Sequence, residues 1–206
     1  MKPVRLAILG LGTVGGGALK LLQENAAEIK RRTGREIQIT HVGTRRPRPD
    51  LNLEGIQQND DLMHIVRQPD VDVVVEVMGG IHPAYEVIME AIKHGKQVVT
   101  ANKALLAEHG NELFKAAEDN AVQIAYEAAV AGGIPIIKVI REGLAANHIE
   151  WLAGIINGTG NFILTEMREK GRAFEDVLKE AQELGYAEAD PTFDVEGIDA
   201  AHKLTI

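Results

Sequence analysis

Between Ala181 and Lys203 the chain reads AQELGYAEADPTFDVEGIDAAHK, which sets Glu183, Glu188, Asp190, Asp194, Glu196 and Asp199 beside a lysine, among small and turn-forming residues. Carboxylates and an ammonium at this density can hold a polar substrate and move a proton. The proline of Asp190-Pro191 biases Asp190 toward extended backbone and predicts a helix boundary there. Beyond it, Asp199 and Lys203 stand four residues apart and share one face of a helix. The plain alternative is an acidic surface loop followed by a helix with an ordinary ion pair, worth ~0.3–0.5 kcal/mol when exposed.

The other end of the chain carries a second chemical pattern. VRLAIL (4–9) is a short apolar run of strand type, GLGTVGGG (Gly10–Gly17) follows at once, and ALKLLQENAAEIKRR is helix-compatible. G-x-G-x-x-G in that context predicts a dinucleotide site. Gly10 makes the tight turn, Gly12 lets the backbone approach a pyrophosphate, and Gly15 lets helix and strand pack closely. With Thr13 and Val14 they form the cofactor-binding turn, where the helix start offers unpaired N–H groups and a positive dipole end. The next strand, IQITHV (37–42), should end in an acidic residue if it is to bind the ribose hydroxyl of NAD. It runs instead into Gly43-Thr44-Arg45-Arg46, and Arg45 and Arg46 can pair with the 2′-phosphate of NADP. NADP is therefore the expected cofactor, with NAD left open; a solvated basic turn is the other reading of RRPRP.

These residues need a scaffold, and the pattern between them supplies one. A short helix is expected within 60–70, a fully buried strand over 71–80, a helix over 82–95 closed by Gly95, a strand over 96–101, a helix over 102–120 and a strand over 121–128. Strands alternating with helices imply right-handed crossovers and a doubly wound, Rossmann-type parallel sheet of the α/β class, assigned to residues 1–135. Around Gly132-Gly133-Ile134-Pro135 the pattern changes to a short helix, an alternating strand over 149–157 and two helices. Residues 136–206 are read as the start of an α+β substrate-binding and dimerisation domain that stops unfinished at Ile206.

Composition sets outer limits. With 206 residues, 45% hydrophobic and 25% charged, the chain is that of an ordinary globular protein. Its net charge of −8, from 30 acidic and 22 basic residues, argues against a nucleic-acid surface. No run approaches the roughly 20 apolar residues of a membrane span, and a strand at the very N-terminus leaves no room for a signal peptide, so a cytoplasmic location is expected. Cysteine is absent, which excludes disulfides, thiolate metal sites and the thioester chemistry of acylating aldehyde dehydrogenases. The histidines fall in no metal spacing and are expected at the surface or in caps.

The spacing A-x3-G-Y-A-x2-D-P-x2-D-V-x-G-x-D-x3-K, from Ala181 through Gly185, Asp190, Pro191, Asp194, Gly197 and Asp199 to Lys203, resembles the signature of homoserine dehydrogenase. The resemblance extends over essentially the whole chain and is to the monofunctional form. It implies NAD(P)-dependent hydride transfer between L-homoserine and L-aspartate 4-semialdehyde, on the biosynthetic route to threonine, methionine and isoleucine. It also implies roles. Lys103, in Thr100-Ala101-Asn102-Lys103, matches a lysine beside nicotinamide and substrate. Lys203 takes the acid–base role, or both lysines stay charged and stabilise the alkoxide while water carries the proton. Asp199 orients Lys203 or a bridging water, Glu188 anchors the substrate ammonium, and Asp194 stiffens or lines the same pocket. Glu127, Val130, Gly132 and Ile134 match a sodium-binding turn built largely from main-chain carbonyls. A homodimer or homotetramer through the second domain is implied, with an amino acid as the small-molecule partner. An inactive nucleotide-binding fragment, or another amino-acid or hydroxy-acid dehydrogenase on the same fold, stands as the alternative, and the chain as given is expected to be a poor enzyme.

Overall fold

Val4–Leu9 (β1) is buried from Leu6 onward, as a near-continuous apolar run must be when both faces of a parallel sheet are covered. The computed structural model describes residues 2–206. Around β1 lie β2 (Ile37–Gly43), β3 (Gln57–Asn59), β4 (Val73–Glu76), β5 (Gln97–Thr100) and β6 (Ile124–Ala125), in a six-stranded sheet of order β3-β2-β1-β4-β5-β6. Every neighbouring pair is parallel. The chain reverses its winding between β1 and β4, and in open α/β sheets that switch point is where ligands bind.

The connecting helices are α1 (Thr13–Glu24), α2 (Ala26–Thr33), α3 (Leu62–Val66), α4 (Ala84–Lys93) and α5 (Lys103–Asp119). Leu19 of α1 packs with Ile8, Leu11, Val42 and Leu51, so the helix after the glycine turn is pinned to the sheet by its own apolar face. The helix expected after the glycine run is two helices, since both the backbone N–H and the Nδ2 of Asn25 donate to Leu21 O and close the first one. The strand expected over 71–80 stops at Glu76, and Gly79 and Gly80 then take left-handed backbone at φ 76°. The strand expected over 121–128 shrinks to Ile124–Ala125 and gives way to a turn of 3-10 helix at Glu127–Ala129. No pattern announced β3, because Gln57-Gln58-Asn59 has no apolar residue to show it.

The chain forms two compact units, Met1–Gly133 and Ile134–Ile206. The second holds α6 (Ile136–Lys138), which continues as a π turn over Val139–Gly143, then α7 (Gly158–Lys170), α8 (Phe174–Glu183), α9 (Thr192–Val195) and α10 (Ile198–Thr205). Its core is Ile163, Val177, Ala181 and Ala187, with Phe162, Met167, Leu178 and Val195 against it. Arg172 clamps α7 to α8 by pairing with Glu166 and Glu180. The strand expected over 149–157 is not formed. A strand needs a neighbour for its backbone N–H and C=O groups, and among the described residues of this unit there is none. Its apolar residues stand in the open, Trp151 and Ile155 each 79% exposed.

Candidate active site

The three glycines at the end of β1 differ in what surrounds them. Gly10 has φ +96°, and a Cβ there would lie 3.0 Å from Val77 O and from the Met78 Cα. A Cβ on Gly15 would stand 1.8 Å from Gly10 O and 3.0 Å from Val77 Cγ2, so no side chain fits between α1 and the strand ends. Gly12 has nothing within 4 Å of such an atom. Its side of the turn is open, Thr13 and Val14 beside it are exposed, and no side chain caps α1. Unpaired N–H groups and a positive dipole end face that opening, which fits a pyrophosphate.

At the end of β2, Thr44 folds the chain back through hydrogen bonds with Arg46, its Oγ1 donating to Arg46 O (2.8 Å) and accepting from Arg46 N (3.3 Å). Arg45 and Arg46 are exposed, and their guanidinium groups make no hydrogen bond or ion pair among the described residues. They line an open recess of about 330 Å³ together with Pro47 and Asn59. Arg48, for which the sequence carries no signal, reaches back toward the glycine turn. Its Nη1 lies 3.4 Å from Gly12 O, while Nε and Nη2 donate to both carboxylate oxygens of Asp50 (2.8 and 2.7 Å). That bidentate pair holds the Asp50 carboxyl down at about 2 and pushes the Arg48 guanidinium above its ordinary value.

The ends of β4 and β5 are tied by a buried polar chain. Glu76, fully buried, accepts from Met78 N (2.8 Å) and from Thr100 Oγ1 (2.6 Å). Thr100 Oγ1 accepts in turn from Asn102 N (3.0 Å). Asn102 donates to Gly80 O (2.6 Å) and caps α5 by accepting from Leu105 N (3.2 Å). Lys103 is the first residue of α5, so the network fixes the backbone from which it projects at the carboxyl end of the sheet.

In the second unit, Asp199 and Lys203 lie one helical turn apart on α10 and meet, Lys203 Nζ donating to Asp199 Oδ2 at 2.5 Å and to Ile156 O at 2.5 Å. The pair is largely shielded, with side-chain exposures of 9% for Asp199 and 24% for Lys203. Asn157 completes the cluster by donating to Asp194 Oδ1 and Asp199 Oδ2, each at 2.8 Å. Glu188 is exposed, and its carboxylate makes no hydrogen bond among the described residues; only its carbonyl is engaged, by Gln182 Nε2 (3.1 Å). Thus Asp194, Asp199 and Lys203 come together, and Glu188 stays outside their hydrogen bonds. Sequence reasoning misses Asn157 and Arg48 for one reason: each acts on residues more than thirty positions away, at spacings with no local period.

Glu127, Val130 and Gly132 belong to the first unit and Ile134 to the second. The backbone here is irregular, left-handed at Ala131 (φ 49°) and Gly133 (φ 83°), and Ile134 O accepts from Ile136 N (2.8 Å). The histidines are not all at the surface. His41 is 3% exposed within β2, with Nδ1 at 3.0 Å from Thr40 Oγ1. Nδ1 of His109 and of His202 is buried without a hydrogen-bond partner among the described residues. No cluster of His, Asp or Glu suited to a metal ion occurs among the described residues, and no described helix is long and apolar enough to cross a membrane.

A parallel sheet in this strand order, with a close-packed glycine turn at the end of its first strand, defines an α/β protein that binds a nicotinamide dinucleotide. Residues 10–127 match the family model for the homoserine dehydrogenase NAD-binding domain, and residues 135–206 match the one for homoserine dehydrogenase. The chain belongs to the homoserine dehydrogenase family. It is 63% identical over 206 residues to a homoserine dehydrogenase of Pseudomonas aeruginosa, covering all of this chain and 48% of that protein. The crystal structure of a homoserine dehydrogenase from Thiobacillus denitrificans superposes with a TM-score of 0.88 at 60% identity, over 99% of this chain and 48% of that one. A hyperthermophilic archaeal homoserine dehydrogenase in complex with NADPH superposes at 0.84 with 30% identity, over 100% of this chain and 68% of that one. The chain spans about half the length of the curated relatives it matches.

Proposed function

We propose that this chain supplies the cofactor site and the proton-handling cluster of an enzyme that interconverts L-homoserine and L-aspartate 4-semialdehyde. The observation that carries the reading is the shielded Lys203–Asp199 pair, an ammonium held beside its carboxylate within the segment that carries the family's signature. A nicotinamide bound at the glycine turn would supply the hydride acceptor for the terminal carbon of homoserine and, in reverse, the hydride donor for the aldehyde carbon. Lys203 handles the matching proton: in the reductive direction its ammonium donates to the oxygen that becomes the alcohol and is left as the amine, and in the oxidative direction the neutral amine takes the hydroxyl proton on the same nitrogen. Two of its three N–H donors are engaged by Asp199 and Ile156, which leaves one for the substrate oxygen. Glu188, exposed and outside that network, is assigned to the substrate's ammonium group, Asp194 to the wall of the same pocket, and Lys103 to the side of both cofactor and substrate.

The first unit, read as residues 1–135, binds the cofactor, and residues 136–206 begin the substrate and dimerisation domain. NADP is favoured over NAD because Arg45 and Arg46 offer two guanidinium groups with no partner of their own among the described residues, where an acidic residue would select the ribose hydroxyl. Sodium at Glu127, Val130, Gly132 and Ile134 is supported by the irregular backbone there, since a hard cation takes carbonyl oxygens that regular structure would consume. A homodimer or homotetramer is supported by the exposed Trp151, Leu152 and Ile155.

The deciding experiment is NADP-dependent oxidation of L-homoserine by the full-length protein and by residues 1–206, each with and without Lys203→Ala. Turnover by the full-length protein that Lys203→Ala abolishes is the expected result. Cofactor binding with no turnover of homoserine would reduce the protein to a nucleotide-binding module, and equal turnover of other hydroxy acids would move it to another dehydrogenase class.

A further inference from the structure

We propose that Asn157 is the positioning residue of this site, its side-chain amide holding the Lys203–Asp199 pair in working geometry. The inference rests on the functional reading above. Asn157 uses its whole side chain. Oδ1 accepts from Gly160 N (2.6 Å), and the two N–H groups of Nδ2 reach Asp194 Oδ1 and Asp199 Oδ2 at 2.8 Å each. Two carboxylates can be met only by donors, so the orientation of the amide follows from its partners.

The oxygen that Asn157 reaches on Asp199 is the one that accepts from Lys203 Nζ. Asp199 is thus gripped from two sides, by a cation on its own helix and by a planar amide forty-two residues earlier in the chain. The lysine is gripped by the same stretch of backbone, since its second acceptor is the carbonyl of Ile156, the residue before Asn157. Residues 156 and 157 therefore set both the ammonium and its counter-ion. Their own position is fixed because Asn157, in extended backbone (φ −132°, ψ 121°), is the N-cap of the thirteen-residue α7. The amide also neutralises a conflict. Asp194 and Asp199 share Nδ2 as a neighbour, and without a donor between them two carboxylates would face one another with little solvent.

An N-cap alone does not explain this choice of residue. Capping requires one side-chain oxygen, which serine or aspartate supplies as well as asparagine. Only the two carboxylates require the amide nitrogen.

The test uses the full-length protein with Asn157→Ser and Asn157→Asp. Both keep the cap, so far-UV circular dichroism and NADPH affinity should stay close to those of the unmodified protein, while the melting temperature falls, further in Asn157→Asp. We expect kcat for homoserine to fall at least 30-fold in each while KM changes less than threefold, with Asn157→Asp the worse because it adds a carboxylate. The ζ-ammonium resonance of Lys203 in 1H–15N spectra should exchange slowly with water in the unmodified protein and broaden or vanish in Asn157→Ser. Either substitution keeping kcat within twofold overturns the proposal, as does an unchanged Lys203 resonance. If the unmodified protein fails to turn over homoserine, the functional reading falls and takes the catalytic half of the proposal with it; the resonance still decides the geometric half.

Discussion

The hydroxyl of Thr100 donates to the carboxylate of Glu76 across 2.6 Å, in a pair closed off from solvent between the ends of β4 and β5. Glu76 Oε2 has this hydroxyl as its partner, and Thr100 Oγ1 also receives Asn102 N–H. Thr100→Val, nearly isosteric, leaves a buried carboxylate oxygen and an amide without partners. Urea unfolding should show a loss of about 2–3 kcal/mol. A midpoint unchanged within error would mean that the network is ornamental to the fold and does not hold the start of α5.

The glycine turn makes a two-part prediction. Gly12→Ala adds a methyl group into open space at an ordinary φ of −70°, so the melting temperature should hold while NADPH binding weakens at least tenfold. Gly15→Ala drives a methyl group into Gly10 O and cannot be absorbed by a flexible side chain, so it should lower both stability and binding. Calorimetric titration with NADPH, paired with thermal melts, reads both; a Gly12→Ala protein that binds normally would remove the pyrophosphate from that side of the turn.

Arg45→Ala should weaken NADPH by roughly tenfold or more and leave NADH nearly unchanged, because a charge-assisted contact to the 2′-phosphate is worth ~1.5–3 kcal/mol. The side chain has no internal role to lose, being exposed and without a hydrogen-bond partner among the described residues. Equal affinities for the two cofactors before and after the change would count against NADP as the preferred one.

In the full-length protein, Lys203→Ala and Lys103→Ala should each cut turnover severely. NADPH binding should survive Lys203→Ala in particular. Glu188→Ala should act mainly through KM for homoserine, since the carboxylate lies outside the Lys203 network. Steady-state kinetics separate these cases, and near-normal turnover in Lys203→Ala is the result that would reassign the proton.

Acid should loosen the sheet through Asp72. Its carboxylate takes hydrogen bonds from Arg5 Nε, Nη2 and backbone N, and the Arg5 side-chain hydrogen bonds above all hold it below the usual aspartate range. A lowered folded-state value contributes stability that is fully present above the unfolded value of about 4. It is lost as pH falls through the lower folded value. Asp72→Asn should therefore melt earlier than the unmodified protein at pH 6, and the two should converge toward pH 2. A gap that persists at the acid end would assign the difference to packing.

Local chemistry is readable from the sequence where one short segment carries it. The strand, glycine turn and helix at 4–24 announce themselves because their roles depend on neighbours within a few residues, and the i,i+4 pair of Asp199 and Lys203 follows from helical period alone. Asn157 and Arg48 escape such reading because their partners come from other elements. The expected strand at 149–157 shows the opposite failure. Alternation reports which residues could share a face, but pairing needs a second strand, and a two-fold period contains no information about whether one is at hand. His41, expected at the surface, is buried because β2 lies between β1 and β3 in the sheet and is covered at its end, which a lone histidine in the sequence does not reveal.

The two margins of the sheet have a bearing on how this protein keeps to itself in a crowded solution. Its outermost strands are short, three residues at β3 and two at β6. Each rim therefore presents only a few unsatisfied amide and carbonyl groups, too short a template for a foreign strand to zip onto, and β3 is made of glutamine and asparagine with no apolar side chain to reward docking. A parallel sheet with long bare rims would invite stacking of copies into fibrils; here the two rim strands are the shortest of the six, which limits strand-to-strand pairing between copies.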